Sequence, residues 1–193
     1  MKIRNIALLS AATLALAACG HKTDTADVSN NTTIVDSETN DTMMANDTAP
    51  AATGGQAFAN TAAASDAFEI ASSRAALDTS KSAAVKKFAQ KMIDAHTDST
   101  AKLKKTTAGL SPAITPDPTL TADQQTQLDA LKKLSGAEFD KAYIDAQTAG
   151  HQQTLDKLKD YSANGDVPAL KTFATGLVPI VAAHLNMAKG LKA

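Results

Sequence analysis

The sequence predicts an all-α fold: a four-helix bundle with one long central connection and a short extra helix, preceded by a disordered linker. Three observations carry this expectation. Apolar residues recur at spacings of three and four along four long segments, and no segment shows convincing period-2 alternation. The apolar share is 44%, mostly Ala and Leu, with 4% aromatics and no Trp, a composition that favours helix over strand. Helix-start and helix-stop residues also fall at the ends of those segments.

The chain has 193 residues and a net charge of −1, distributed unevenly. Residues 1–20 carry Lys2 and Arg4 and no acidic residue. Residues 21–56 set one Lys against five Asp and one Glu, and 57–193 set 16 basic residues against 14 acidic. No basic footprint of a nucleic-acid binder is present. Residues 1–18 read as a secretory signal: Lys2 and Arg4, then an apolar stretch from Ile6 to Ala18, too short for a transmembrane helix. No second hydrophobic span is expected. Leu16-Ala17-Ala18-Cys19 resembles a bacterial lipobox, which implies cleavage that leaves Cys19 as a lipid-modified N-terminus. Gly20 follows instead of Asp, and the resemblance to Gram-negative lipoproteins then implies the outer membrane, facing the periplasm. Acyl chains on Cys19 would make the membrane the one partner the sequence names. As the single Cys, it excludes an intramolecular disulfide and a multi-cysteine metal site.

Residues 19–56 form the lipid-anchored linker. From 21 onward they are rich in Thr, Asp, Asn and Ala, lack aromatics, and end in Pro50 and Gly54-Gly55. Such a composition buries too little apolar surface to offset chain entropy. As a flexible coil it would span roughly 30–35 Å. His21 reads as solvated, and Met43-Met44 as a chance pair more than a copper ligand.

The folded domain is expected over 57–193. A first helix covers 57–78, where Phe68, Ile70 and Leu77 define a face that leaves Glu69 near its edge. Ser82 caps a second helix over 83–107, with the stripe Val85, Phe88, Ala89, Met92, Ile93, His96 and Leu103. Gly109, Pro112, Pro116 and Pro118 enforce the long connection. The capping box Thr121-Ala122-Asp123-Gln124 opens a short helix to Leu134. A second, Ser135-Gly136-Ala137-Glu138, opens a long helix to about Tyr161 with Phe139, Tyr143, Ala146, Gly150, His151, Leu155 and Leu158 on its stripe. Asp166 is placed to cap the last helix, Pro168 in its first turn, and the stripe runs Leu170, Phe173, Leu177, Ile180, Val181, His184, Met187 and Leu191. Pro179 should kink this helix.

All three histidines of the domain stand at apolar stripe positions, each on a different long helix. His96 lies four after Met92, His151 four before Leu155, and His184 four after Ile180. They therefore point inward, and bundles build metal sites from inward side chains on facing helices. Glu69, on the first helix, is the natural fourth member. Three imidazoles with a carboxylate suit one transition-metal ion, Zn, Cu, Fe or Ni. Gly150 lets a neighbour approach His151 closely, and Tyr143 can hydrogen-bond a ligand or bound water. Asp94 and Asp98 fall off the His96 face and read as solvated. The bland reading sets one buried histidine per helix in a satisfied polar core, at different heights. Imidazoles more than about 8 Å apart would favour it, since Zn–N bonds near 2.1 Å put ligand nitrogens about 3–4 Å apart.

The domain resembles the DUF4142 family, exported bacterial proteins with a predicted ferritin-like helical bundle and no settled activity. The resemblance rests on Glu69-Ile70, the run from Val85 to Thr97 (VKKFAQKMIDAHT), the run from Leu134 to Tyr143 (LSGAEFDKAY), Gly150-His151, Pro179 and His184-Leu185, and it spans about 57–190. The family pattern has two acidic residues before the first His-Thr, where this chain has Asp94-Ala95. A ferritin-like bundle invites a di-iron centre, but three residues before the histidines stand Ile93, Thr148 and Val181, none a carboxylate, so the Glu-x-x-His signature is missing. No Cys nucleophile, phosphate loop or serine elbow appears in the domain. Lys86-Lys87, Lys104-Lys105 and Lys132-Lys133 read as solvated faces. The leading expectation is thus a lipid-anchored envelope bundle of binding type, without catalytic residues. Its rivals are a ligand-free structural or interaction module and a metal-dependent oxidoreductase or peroxide-handling protein, which requires an open coordination position.

Overall fold

The computed structural model describes residues 54–193. The signal, Cys19, His21, Met43-Met44 and the linker up to residue 53 lie outside the described residues. Five helices follow in order: α1 Gly54–Thr79, α2 Ala83–Thr107, α3 Ala122–Lys132, α4 Gly136–Asn164 and α5 Pro168–Gly190. Every described helix matches a predicted one, and α2 matches to the residue. Ser82 caps α2 by accepting from the Val85 N–H at 3.4 Å. Thr121 and Gln124 close the expected capping box on α3.

Two caps differ from expectation. Ser135 makes no side-chain cap bond on α4. The next residue, Gly136, sits at φ +59°, a left-handed turn that glycine adopts without strain and that swings the chain away from cap geometry. Asp166 does not cap α5, whose N-cap is Val167 with Pro168 behind it. Its carboxylate instead accepts from the Gly55 N–H at 3.2 Å and from the Tyr161 hydroxyl at 2.8 Å. An aspartate predicted to cap its own helix thus satisfies an orphan donor at the start of α1. The same contact explains why α1 begins at Gly54, three residues before the expected Ala57. A Cβ on Gly54 would lie 2.8 Å from Asp166 Oδ2, and one on Gly55 would lie 2.5 Å from Val167 Cγ2. The diglycine is a close-packed helix start, not the end of a linker.

The clusters of buried side chains give the topology. Ala59 and Ala63 of α1, Leu103 of α2 and Leu170 of α5 share one cluster, with Tyr161 of α4 against it. Ala76 of α1, Val85 and Phe88 of α2, Phe139 and Tyr143 of α4 and Ala188 of α5 share the other end. Hence α1 and α5 run one way and α2 and α4 the other. The chain from 108 to 135 must return the full length of the bundle, the single long crossover of a ferritin-like arrangement. Around the bundle the order is α1, α2, α5, α4, so all neighbours are antiparallel. The crossover is pinned along α1 by paired bonds between the Gln56 amide and the Thr115 backbone and by Asn60 Oδ1 accepting from the Asp117 N–H.

α5 is the one described helix long and apolar enough to cross a membrane by length and composition, where no such span was expected. Here it packs on α4 and α2. Its inner row is Leu170, Ala174, Val181, His184, Leu185 and Ala188, while Ile180, expected inside, is 39% exposed. Ile180 is one position, about 100°, out of phase with Val181. Pro179 lies on the exposed face of a helix that continues past it, so water can take the carbonyl of Thr175 that loses its partner.

Between the two apolar ends lies a polar layer. Asp66, Glu69, Ser72, His96, Gln147, His151 and His184 are all buried there.

Candidate metal centre

The three histidines reach this layer because each occupies a core position of its own helix. On α2 the buried row runs Val85, Phe88, Ala89, Met92, His96, Ser99, Leu103. On α4 it runs Phe139, Tyr143, Ala146, Gln147, His151, Leu155, Leu158. His96, His151 and His184 are 6%, 2% and 4% exposed. They also share one height. Ring centroids are 5.7 Å apart for His96–His151, 5.9 Å for His96–His184 and 5.5 Å for His151–His184. Each ring brings a nitrogen within 4.8 Å of the other two. Three buried histidines in this arrangement can hold a metal ion. Tetrahedral coordination at about 2.1 Å sets nitrogens roughly 3.4 Å apart, so ring movements of about 1 Å complete the geometry.

Hydrogen bonds on the far nitrogens aim the near ones inward. His96 Nδ1 donates to Asp66 Oδ1 at 2.8 Å, and Asp66 Oδ2 accepts from Thr100 Oγ1 at 3.1 Å. His151 Nδ1 donates to the Gln147 carbonyl at 2.8 Å. In the neutral rings both Nε2 atoms are therefore lone-pair acceptors. Those Nε2 atoms, His184 Nδ1 and Glu69 Oε2 are buried without a hydrogen-bond partner. Leaving a buried polar atom unpaired costs about 1–3 kcal/mol, and native interiors contain few. Gln147 Oε1 is a fifth in the same layer, and Asp140 Oδ1 is unpaired outside it. The layer thus gathers more donors and acceptors than the protein itself pairs.

Electrostatics keep two of the rings available. Burial, with the charges of His151, His96 and Lys91, brings His184 down to about 4. Burial also lowers His151, against the opposing pull of Glu69 and its bond to Gln147. For His96 burial acts downward too, but the Asp66 bond and the charges of Glu69 and Asp66 outweigh it, and its titration moves up. Neutral imidazole is the form that ligates.

Glu69 is fully inside, not at the edge of a face as the α1 pattern implied. Its Oε1 lies 3.9 Å from His151 Nδ1, the nitrogen committed to Gln147, so Glu69 stands beside the three-imidazole cluster. Gly150 makes room for it: a Cβ there would meet Glu69 Oε1 at 3.3 Å. Tyr143, expected as a ligand contact, shares a hydrogen bond with the Ser73 hydroxyl at 2.8 Å, and burial pushes its phenol well above the usual range. Asp94 and Asp98 are exposed as expected. Asp66 is the functional residue the sequence pattern missed. It lies one turn before Glu69, and a ligating histidine calls for a carboxylate or carbonyl on its second nitrogen, which was the available signal. Both nearby carboxylates come from α1, so the paired Glu-x-x-His geometry of a di-iron centre is not formed.

No curated protein and no solved structure matches the chain. A family model described as "Domain of unknown function (DUF4142)" matches residues 40–191. That span takes in every described helix, and the chain belongs to the DUF4142 family.

Proposed function

We propose that this is a lipid-anchored protein of the bacterial cell envelope whose bundle binds one transition-metal ion through His96, His151 and His184. The observation that carries the reading is the meeting of three buried imidazoles at one height, each bringing a nitrogen within 4.8 Å of the other two and each having one unpaired nitrogen. Asp66 and Gln147 orient two of the rings, in the manner of the outer partners of metal-bound histidines. Glu69 supplies negative charge beside the ion. Zn, Cu, Fe and Ni all accept such a donor set. Lipid on Cys19 would hold the protein at the outer membrane, facing the periplasm, where no metal-binding cysteine of the domain competes. The role is binding, with no catalytic residue assigned.

The test is metal analysis of full-length protein purified without an affinity tag, after loading with each of the four metals. One equivalent in the wild type and none in His96→Ala is the expected result. Lack of stoichiometric metal under every loading condition overturns the proposal. It would leave the ligand-free module, for which the bonds of His96 to Asp66 and His151 to Gln147 speak. Radiolabelled palmitate incorporation, lost in Cys19→Ser, tests the anchor.

A further inference from the structure

A cavity of about 40 Å³ borders two of the three imidazoles, those of His96 and His184. Its wall includes Asp66 from α1, His96 and Ser99 from α2, Thr154 from α4, and Val181 and His184 from α5. Asp66 precedes Glu69 by one turn, so the cavity lies on the side of the layer away from Glu69, which does not line it. Outside, a groove of about 740 Å³ runs along the α1–α4 seam beside the start of α3. Ala62, Ser65, Thr154 and Leu158 border both spaces. Across that shared wall Ser65 Oγ and Thr154 Oγ1 stand 3.4 Å apart, a hydroxyl pair at the boundary between the groove and the buried rings.

The chemistry of the wall is mixed. Val181 and Leu177 are apolar, while the hydroxyls of Ser65, Ser99 and Thr154 and the Asp66 carboxylate can bond a polar guest. A space of this size holds about one to three heavy atoms. An ion held by three protein nitrogens keeps a fourth position open, the pattern of zinc sites that exchange ligands. His96 and His184 line the cavity, Glu69 does not, and the Asp66 carboxylate that also lines it is engaged by His96 and Thr100, which leaves the cavity open to a guest.

We propose that the cavity is the exchangeable ligand position of the metal centre. It takes a small polar ligand of the water, hydroxide, azide or peroxide class, which arrives from the α1–α4 groove past Ser65 and Thr154. This rests on the metal-binding reading and adds to it a defined open face and a route.

The test uses full-length protein in detergent, loaded with Co(II), whose visible absorption reports the coordination sphere. Azide is titrated into the wild type, Ala62→Val and Ala95→Val. Each substitution adds two methyl groups to the cavity wall, one from α1 and one from α2, and touches no ligand. All three proteins should bind one cobalt. Azide should shift the wild-type spectrum, with affinity about tenfold weaker in both variants. If one variant fails to fold, judged by its circular dichroism, the other decides. Bound cobalt whose spectrum azide leaves unmoved, or equal azide affinity in the variants, overturns this inference alone. Wild type that takes up one of the four metals but no cobalt also overturns this inference alone, and wild type that takes up neither cobalt nor any of the four overturns the metal-binding reading and this inference with it.

Discussion

Tyr143 and His151 stand two turns apart on the same face of α4, both almost fully buried. The Tyr143 hydroxyl is paired with Ser73, and its ring packs between Phe88 and Phe139. The inward nitrogen of His151 faces two other imidazoles and has no partner. Burial alone does not separate a structural residue from a functional one. What separates them is whether the protein itself completes the hydrogen bonding.

The contrast can be broken most severely at the apolar end. Phe139→Ala removes a fully buried ring and should cost about 3–5 kcal/mol by urea denaturation while leaving metal stoichiometry intact in the folded fraction. At the histidine layer the corresponding lever is the ion. Free zinc at about a hundred times its dissociation constant should raise unfolding free energy by about 2.7 kcal/mol, reversed by chelator. An unchanged denaturation midpoint would sink the idea that the layer is completed by metal. Ser73→Ala makes the apolar end imitate the histidine layer, since it strips Tyr143 of its partner. A loss of about 1–3 kcal/mol is expected, and Tyr143→Phe in the same background should recover part of it.

The remaining effect, a balance of opposing rings, is on acidification of the metal-free protein. His184 titrates at about 4 when folded, against 6.5 for the ordinary imidazole, so the unfolded chain takes up the proton first. Stability present above pH 6.5 is therefore lost as pH falls from 6.5 toward 4. His151 is lowered and acts in the same direction. His96 is raised and opposes them, contributing stability at low pH that is lost as pH rises through its own titration. With two rings against one, denaturation midpoints should fall on acidification, and His184→Leu should flatten the slope. A midpoint that climbs toward pH 4 contradicts this balance.

The parts that were legible from sequence were those whose signal is local. α2 carries a clean apolar row, a serine cap and a lysine-rich last turn, and its ends follow from these. The inward facing of the three histidines follows from the same spacing. Helical phase says nothing of height, so their convergence depends on how α2, α4 and α5 are set against one another. α1 was the least legible. Its buried row mixes Ala59, Ala63, Asp66, Phe68, Glu69, Ser72 and Ser73, and small or polar residues on both faces flatten the amphipathic contrast. That is why the sequence pattern places Glu69 at an edge and gives no sign of Asp66. Asp166 misled for another reason. It stands just ahead of a helix as a cap should, but its hydrogen bond goes to a residue 111 positions away, which no local pattern records.

That bond also gives the fold a load path. Gly55 is tied through Asp166 to the turn joining α4 and α5, and the ring of Tyr161 from the end of α4 stacks on Phe58 at 3.8 Å. A pull on the chain ahead of residue 54 enters the bundle at a point shared by both helical hairpins. It must shear the α1 start from the α4–α5 turn before it can peel α1 away from α2. Tension entering there is borne by the Gly55–Asp166 and Phe58–Tyr161 contacts, with the histidine layer several turns removed from the strain.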